Sequence, residues 1–160
     1  MLLSSVALAE IIKIGFGPPA EVRIRIGAET GITTVSHDVP LSMTGDGTPI
    51  SGVPAGVIIE VSARRATARE MNHTSYVLTV DSSVPLSSGL GTIPFTEISW
   101  TSQDGDIPGG RFDGTSSQVI LSPAKAKYLV RDFLTFIYDN DLPVTAGTYT
   151  GTVTFTVSIP

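Results

Sequence analysis

From Tyr149 onward the chain alternates with period two. Large or apolar residues occupy Tyr149, Val153, Phe155, Val157 and Ile159, Gly151 is the one gap, and Thr or Ser fills the even positions from 148 to 158. Alternation of this kind, with β-branched residues on both faces, predicts a strand over Thr148–Ile159. Ordinary strands run to about 5–6 residues, so a strand roughly twice that length asks for partners along it. A terminal segment frays unless it is paired or docked.

The same pattern recurs in shorter pieces. Ile12, Ile14 and Phe16 share a face over Glu10–Phe16, and Gly17-Pro18-Pro19 ends that segment. Glu21–Ile26 sets Val22, Ile24 and Ile26 against Glu21, Arg23 and Arg25, a half-buried strand pattern. Further strands are predicted at Ile32–Val35, Val57–Ala63, Tyr76–Val80, Ile93–Trp100, Ser117–Leu121 and Asp132–Tyr138. Turns are expected at Gly45-Asp46-Gly47 and over Pro49–Pro54. Arg64–Asn72 is basic and Ala-rich, and reads as a short helix or an exposed loop. Ser122–Leu129 opens Ser-Pro-Ala-Lys, a good start for a helical turn. About eight strands with no βαβ alternation predict an all-β, antiparallel sandwich.

Composition narrows the class. The chain has 160 residues, enough for one domain, with 16 Gly, 11 Pro and only 16% charged residues. Its net charge is −5 and Lys and Arg are nowhere clustered over a long segment. Neutralisation of nucleic-acid phosphates or docking on an anionic membrane is therefore disfavoured. There is no Cys, hence no disulfide and no thiolate metal site.

The first nine residues are apolar and end in Ala7-Leu8-Ala9, the small-x-small pattern of a signal-peptidase site. They read as the tail of a secretory signal whose start lies upstream, so that the mature chain begins at Glu10. The alternative is a plain first strand or helical turn. On the first reading residues 1–9 are a signal remnant, 10–26 an N-terminal arm and 27–160 the sandwich.

Catalytic chemistry is poorly represented. The two histidines, His37 and His73, have no neighbouring ligand spacing and read as solvated residues of polar loops. No Gly-x-Ser-x-Gly and no phosphate-cradling loop occurs, so no enzyme activity and no cofactor are expected. Asp104, Asp106 and Asp113 lie in a Gly-rich loop that could offer oxygen ligands to Ca²⁺, but Asp-Gly pairs are mostly turn formers, and no metal site is assigned. Phe95, Trp100 and Phe112 flank that loop. They fit the sandwich core better than an outward sugar-binding face.

The stretch Thr145-Ala-Gly-Thr-Tyr-Thr-Gly-Thr-Val-Thr-Phe155, with Gly147 fourteen residues from the end, resembles the final strand of chaperone–usher pilus subunits, both fimbrial major pilins and spore-coat-U-like pilins. The likeness covers roughly the last thirty residues. Many such subunits carry a penultimate Tyr where this chain has Ile159, and a disulfide that is absent here.

The resemblance implies an immunoglobulin-like sandwich lacking one strand, completed by a donor strand. A periplasmic chaperone fills the groove first, at an outer-membrane usher the next subunit's arm replaces it, and a cell-surface fimbrium results. Gly147, Tyr149, Gly151, Val153, Phe155, Val157 and Ile159 would then form the acceptor strand. Ile12, Ile14 and Phe16, or else Val22, Ile24 and Ile26, would be donor residues inserted into a neighbouring copy. The competing view places both sets in one self-contained core. Outside the family, a secreted carbohydrate-binding module recognising a host or surface glycan, or a coat or virion protein, remains open.

Overall fold

The computed structural model describes residues 2–9, 21–64, 76–122 and 129–158. It is an all-β sandwich of two sheets. The strands are β1 (Leu2–Ala9), β2 (Glu21–Ile26), β3 (Thr34–Asp38), β4 (Ile50–Arg64), β5 (Val77–Asp81), β6 (Leu86–Ser88), β7 (Gly91–Ile93), β8 (Ile98–Ser102), β9 (Gly110–Arg111), β10 (Gln118–Leu121), β11 (Leu129–Tyr138) and β12 (Tyr149–Ser158). The first sheet runs β10-β5-β12-β1-β3, with the β6–β7 hairpin joined to β12 through Thr150 and Ser87. The second runs β2-β4-β11-β8-β9. Among the described residues all pairings are antiparallel except β1 with β12, which is parallel.

The inward residues follow the sequence alternation. In β11 Val130, Leu134, Phe136 and Tyr138 are buried, and in β12 Tyr149, Val153, Phe155 and Val157 are. The gap at Gly151 has a packing cause. A Cβ there would lie 2.9 Å from Leu86 Cδ2 and 3.1 Å from Leu86 Cα, so the missing side chain lets the hairpin sit on the strand.

Two segments depart from the sequence reading. The turn expected over Pro49–Pro54 is the first part of β4, which bends between the sheets. Ser51 and Gly56 pair with Ile137 and Thr135, while Val53, between them, pairs with Ser36 of β3 in the other sheet. The chain can bend there because Gly56 presses on β11, where a Cβ would overlap the Leu134 carbonyl. The strand expected over Ile93–Trp100 is interrupted by a 3₁₀ turn at Phe95–Glu97. Pro94 lacks an N–H and holds φ at −68°, and the chain crosses there from β7 of one sheet to β8 of the other.

The three aromatic residues around the Gly-rich loop are core residues: Phe95, Trp100 and Phe112 are buried. Phe112 is central, 4.9 Å from the Trp100 ring and 6.1 Å from Phe136, and the Trp100 indole donates to Pro108 O at 2.9 Å. They form no outward sugar-binding face. The possible helical segments fall largely on residues 65–75 and 123–128, which lie outside the described residues.

Loops are tied by two side chains. Asn140, buried and at φ 60°, accepts from Gly45 N, donates to Met43 O at 2.6 Å and reaches Asp46 Oδ1 at 3.2 Å. It pins the 45–47 turn to the segment before β12, a position Asn occupies because it tolerates left-handed backbone. Asp132, the polar member of the inward set of β11, holds the 102–107 loop.

Candidate functional site

The candidate site is the slot between β12 and β3. Along one edge β12 pairs with β5, from Thr154 opposite Asp81 to Ser158 opposite Val77. Along the other it pairs with β1, from Leu3 opposite Tyr149 to Ala9 opposite Phe155. The far edge of β1 pairs with β3, from Leu2 opposite Asp38 to Val6 opposite Thr34. β12 and β3 share no register with each other among the described pairings; the inserted strand joins them. Leu2–Ala9, expected from sequence as a signal remnant, is the segment that forms it.

Beneath the slot lies an apolar cavity of about 20 Å³. Val35 and His37 line it from β3, Val153 and Phe155 from β12, and Val57 and Phe136 from the facing sheet. The β1 positions in register with buried Tyr149, Val153 and Phe155 are Leu3, Ala7 and Ala9, and Ser5 is in register with Gly151. Three of those four residue types are small. The cavity is about the size that would admit one water, and its walls are mostly apolar.

The residues assigned from sequence to the acceptor strand fall on or beside β12. Tyr149, Gly151, Val153, Phe155 and Val157 lie on one strand, with all but Gly151 buried and Gly147 just before it. Ile159 lies outside the described residues. The Tyr149 hydroxyl donates to Thr145 O at 2.9 Å and anchors the start of the strand to the loop before it.

The two donor candidates fare differently. Ile12, Ile14 and Phe16 lie outside the described residues. Val22, Ile24 and Ile26 are not free to be given away: they pair in β2 with Ala63, Val61 and Ile59 of β4, and Val22 and Ile24 are buried in this chain's own core. Residues 21–26 therefore belong to the sandwich here, which begins before residue 27.

His37 is a further correction. Expected as a solvated loop residue, it is buried in β3, with Nδ1 3.0 Å from Ile50 O and its ring 6.2 Å from Tyr138. Nothing in the polar sequence around it marks the burial, beyond its even spacing from Val35. Burial lowers its pKa, only partly offset by the bond to the Ile50 carbonyl. Below about pH 6.5 the unfolded chain then binds the proton more readily than the folded one, so stability falls as pH falls. Glu97 works the other way in the mildly acidic range, because burial and then the charges of Asp141 and Asp139 raise its pKa. Chemical denaturation between about pH 7 and pH 5 should therefore show a steeper loss for the parent than for His37→Asn. Equal slopes would remove His37 from the pH response.

The Gly-rich loop is tied down by backbone donors to carboxylates. Asp113 accepts from Thr115 N at 2.8 Å, and Asp104 N donates to Asp132 Oδ1 at 3.1 Å. Among the described residues no group of three or more His, Cys, Asp or Glu side chains is arranged to hold a metal ion. Nor, among them, is any helix long and apolar enough to cross a membrane. His73 lies outside the described residues. Compared with known proteins, the chain matches no family model and no curated sequence.

Proposed function

We propose that this chain is a structural subunit of a secreted surface fibre, assembled by exchange of a β-strand between copies and acting without catalysis. The observation that carries the reading is the slot: one strand, β1, is the backbone link between β12 and β3. Remove it and each of those strands presents an unpaired row of N–H and C=O groups, the edge that other chains add to. An extended segment from a second copy can satisfy both rows at once.

The chemistry of the filler supports exchange. The β1 positions in register with the buried residues of β12 are mostly small residue types, and the strands on either side, β12 and β3, line an apolar cavity. Ile12, Ile14 and Phe16 have the same alternate spacing with more apolar volume. Each added buried methylene is worth about 0.8 kcal/mol, so a strand carrying these residues would displace a smaller one. Cleavage after Ala9 would vacate the slot and leave residues 10–16 as the new N-terminal arm. Such a head-to-tail contact is heterologous and builds an open filament.

The immunoglobulin-like pilin type is part of the same proposal. The Tyr149 hydroxyl, at the start of the final strand, bonds back to Thr145 O four residues upstream, the kind of contact a tyrosine corner makes, and β4 bends from one sheet to the other beside the slot. On this reading a periplasmic chaperone protects the slot, an outer-membrane usher exchanges it, and the fibre stands on the cell surface.

The test is electrophoresis of the assembled material in denaturant, with and without boiling, from the parent and from a chain lacking residues 10–16. Strand exchange predicts a ladder that collapses only on heating, and its loss in the deletion. A ladder that persists without residues 10–16 would eliminate that segment as donor; no ladder from the parent would remove the fibre reading itself.

A further inference from the structure

The second sheet carries a depression on the face turned away from the slot. Its floor is Ile58 and Phe133, directly opposite each other on β4 and β11. Both alternate with core residues, Ile59 and Val57 on one strand and Asp132 and Leu134 on the other, so they belong to the outer face, where a sandwich strand normally sets polar residues. Around them stand Arg131 and the exposed Gln103 and Asp104. The depression measures about 380 Å³, within the range of about 300–1,000 Å³ usual for small-molecule sites.

The rim is built rather than loose. Buried Asp132 accepts from Gln103 N and Asp104 N, both at 3.1 Å, from Ile107 N at 2.8 Å and from Ser102 Oγ at 2.6 Å. Gln103 N also donates to Phe133 O. The two residues that bring polar side chains to the rim are thus fixed through their backbone to the strand that supplies the aromatic floor.

We infer that this depression binds a neutral pyranose unit of a glycan. The Phe133 ring offers a face whose negative quadrupole suits the C–H groups of a sugar ring. The Asp104 carboxylate accepts hydroxyl hydrogens, and the Gln103 amide both accepts and donates. An anionic ligand is disfavoured: the Arg131 guanidinium is already paired with Glu29 at 2.5 Å, Asp104 stands beside it, and the chain carries net charge −5. A peptide added as a strand is disfavoured too, because β4 and β11 are both paired on their two edges. The site faces away from the slot, so copies assembled through strand exchange would each display it, and weak sites repeated along a fibre gain by avidity.

The experiment is saturation-transfer NMR of the full chain with methyl α-mannopyranoside, methyl β-galactopyranoside and methyl β-glucopyranoside at millimolar concentration, and with glucuronate as the anionic comparison. At least one neutral glycoside should receive saturation, and glucuronate should not. Phe133→Thr, and separately Gln103→Ala with Asp104→Ala, should each weaken binding by about tenfold or more. If Phe133→Thr disturbs folding, the loop variant decides alone, since both its residues are exposed. Transfer to none of the glycosides, transfer to glucuronate of equal strength, or binding unchanged in the loop variant would overturn the assignment. None of these readings depends on whether fibres form.

Discussion

Replacing Asp132 by Ala should lower stability by about 3–5 kcal/mol, because one carboxylate satisfies four donors at once. Three of the donors are backbone N–H groups of the 102–107 loop: Gln103 N also reaches Phe133 O, while Asp104 N and Ile107 N donate to Asp132. Burial alone would raise the pKa of this carboxyl, but its hydrogen bonds to Ile107, Ser102, Asp104 and Gln103 outweigh that and hold it below the usual carboxylate range. A group depressed in this way stabilises the fold above its unfolded pKa, about 3.9, and the contribution is lost as pH falls through the lower folded value. Asp132→Asn should be nearly as damaging, since an amide nitrogen cannot accept from either of the donors it would face. Thermal unfolding at neutral pH is the readout, with a drop of roughly 10 °C expected for the Ala variant. A drop within a degree or two would mean that the loop finds water instead and that Asp132 holds little. The same variant should loosen Gln103 and Asp104 at the rim of the outer depression.

This anchor was partly legible in the sequence. Asp132 begins the alternation that continues through Leu134, Phe136 and Tyr138, and an acid at an inward position of an apolar stripe has to find donors. Which donors could not be read, because Gln103 and Ile107 approach from a loop far away in the chain. Asn140 was opaque for the same reason: its partners at 43–47 are joined to it only by the fold. Strands with clean alternation, β2, β11 and β12, stand within a few residues of where the pattern puts them. The errors fall where the chain changes sheet. Gly52, Pro54 and Gly56 have turn chemistry, yet they serve as the bend within β4, and Pro94 divides one apolar run between two sheets.

β12 was the most legible part of the candidate site and β1 the least. Tyr149, Val153, Phe155 and Val157 declare their inward face by period alone. Leu2–Ala9 carries no alternation of large and polar residues, and its small-x-small end pointed to processing rather than pairing. Its place as β1 is set by the two neighbours that need a partner, a tertiary demand that local pattern does not express. His37 is hidden in the same way: its neighbours Ser36 and Asp38 are polar because they face away, as alternation in a strand allows.

Removing residues 2–9 should therefore have the largest effect of any change to this chain. Seven register pairs on β12 and five on β3 are lost together, and the apolar residues lining the cavity open to solvent. The cost is on the order of the whole stability of a small domain, about 5–15 kcal/mol, and two long unpaired edges become available for aggregation. Circular dichroism and size-exclusion chromatography of the truncated chain should show unfolded or aggregated protein. A synthetic peptide spanning residues 10–16, added during refolding, should restore a soluble folded species, and should do so at lower concentration than a peptide spanning residues 2–9. That order follows from Ile12, Ile14 and Phe16 bringing more apolar volume to the same slot. A truncated chain that stays monomeric and melts as the parent does would show that β12 and β3 need no inserted strand. Rescue by the 2–9 peptide alone would keep the slot but assign it to a strand of its own chain, leaving assembly between copies without a donor.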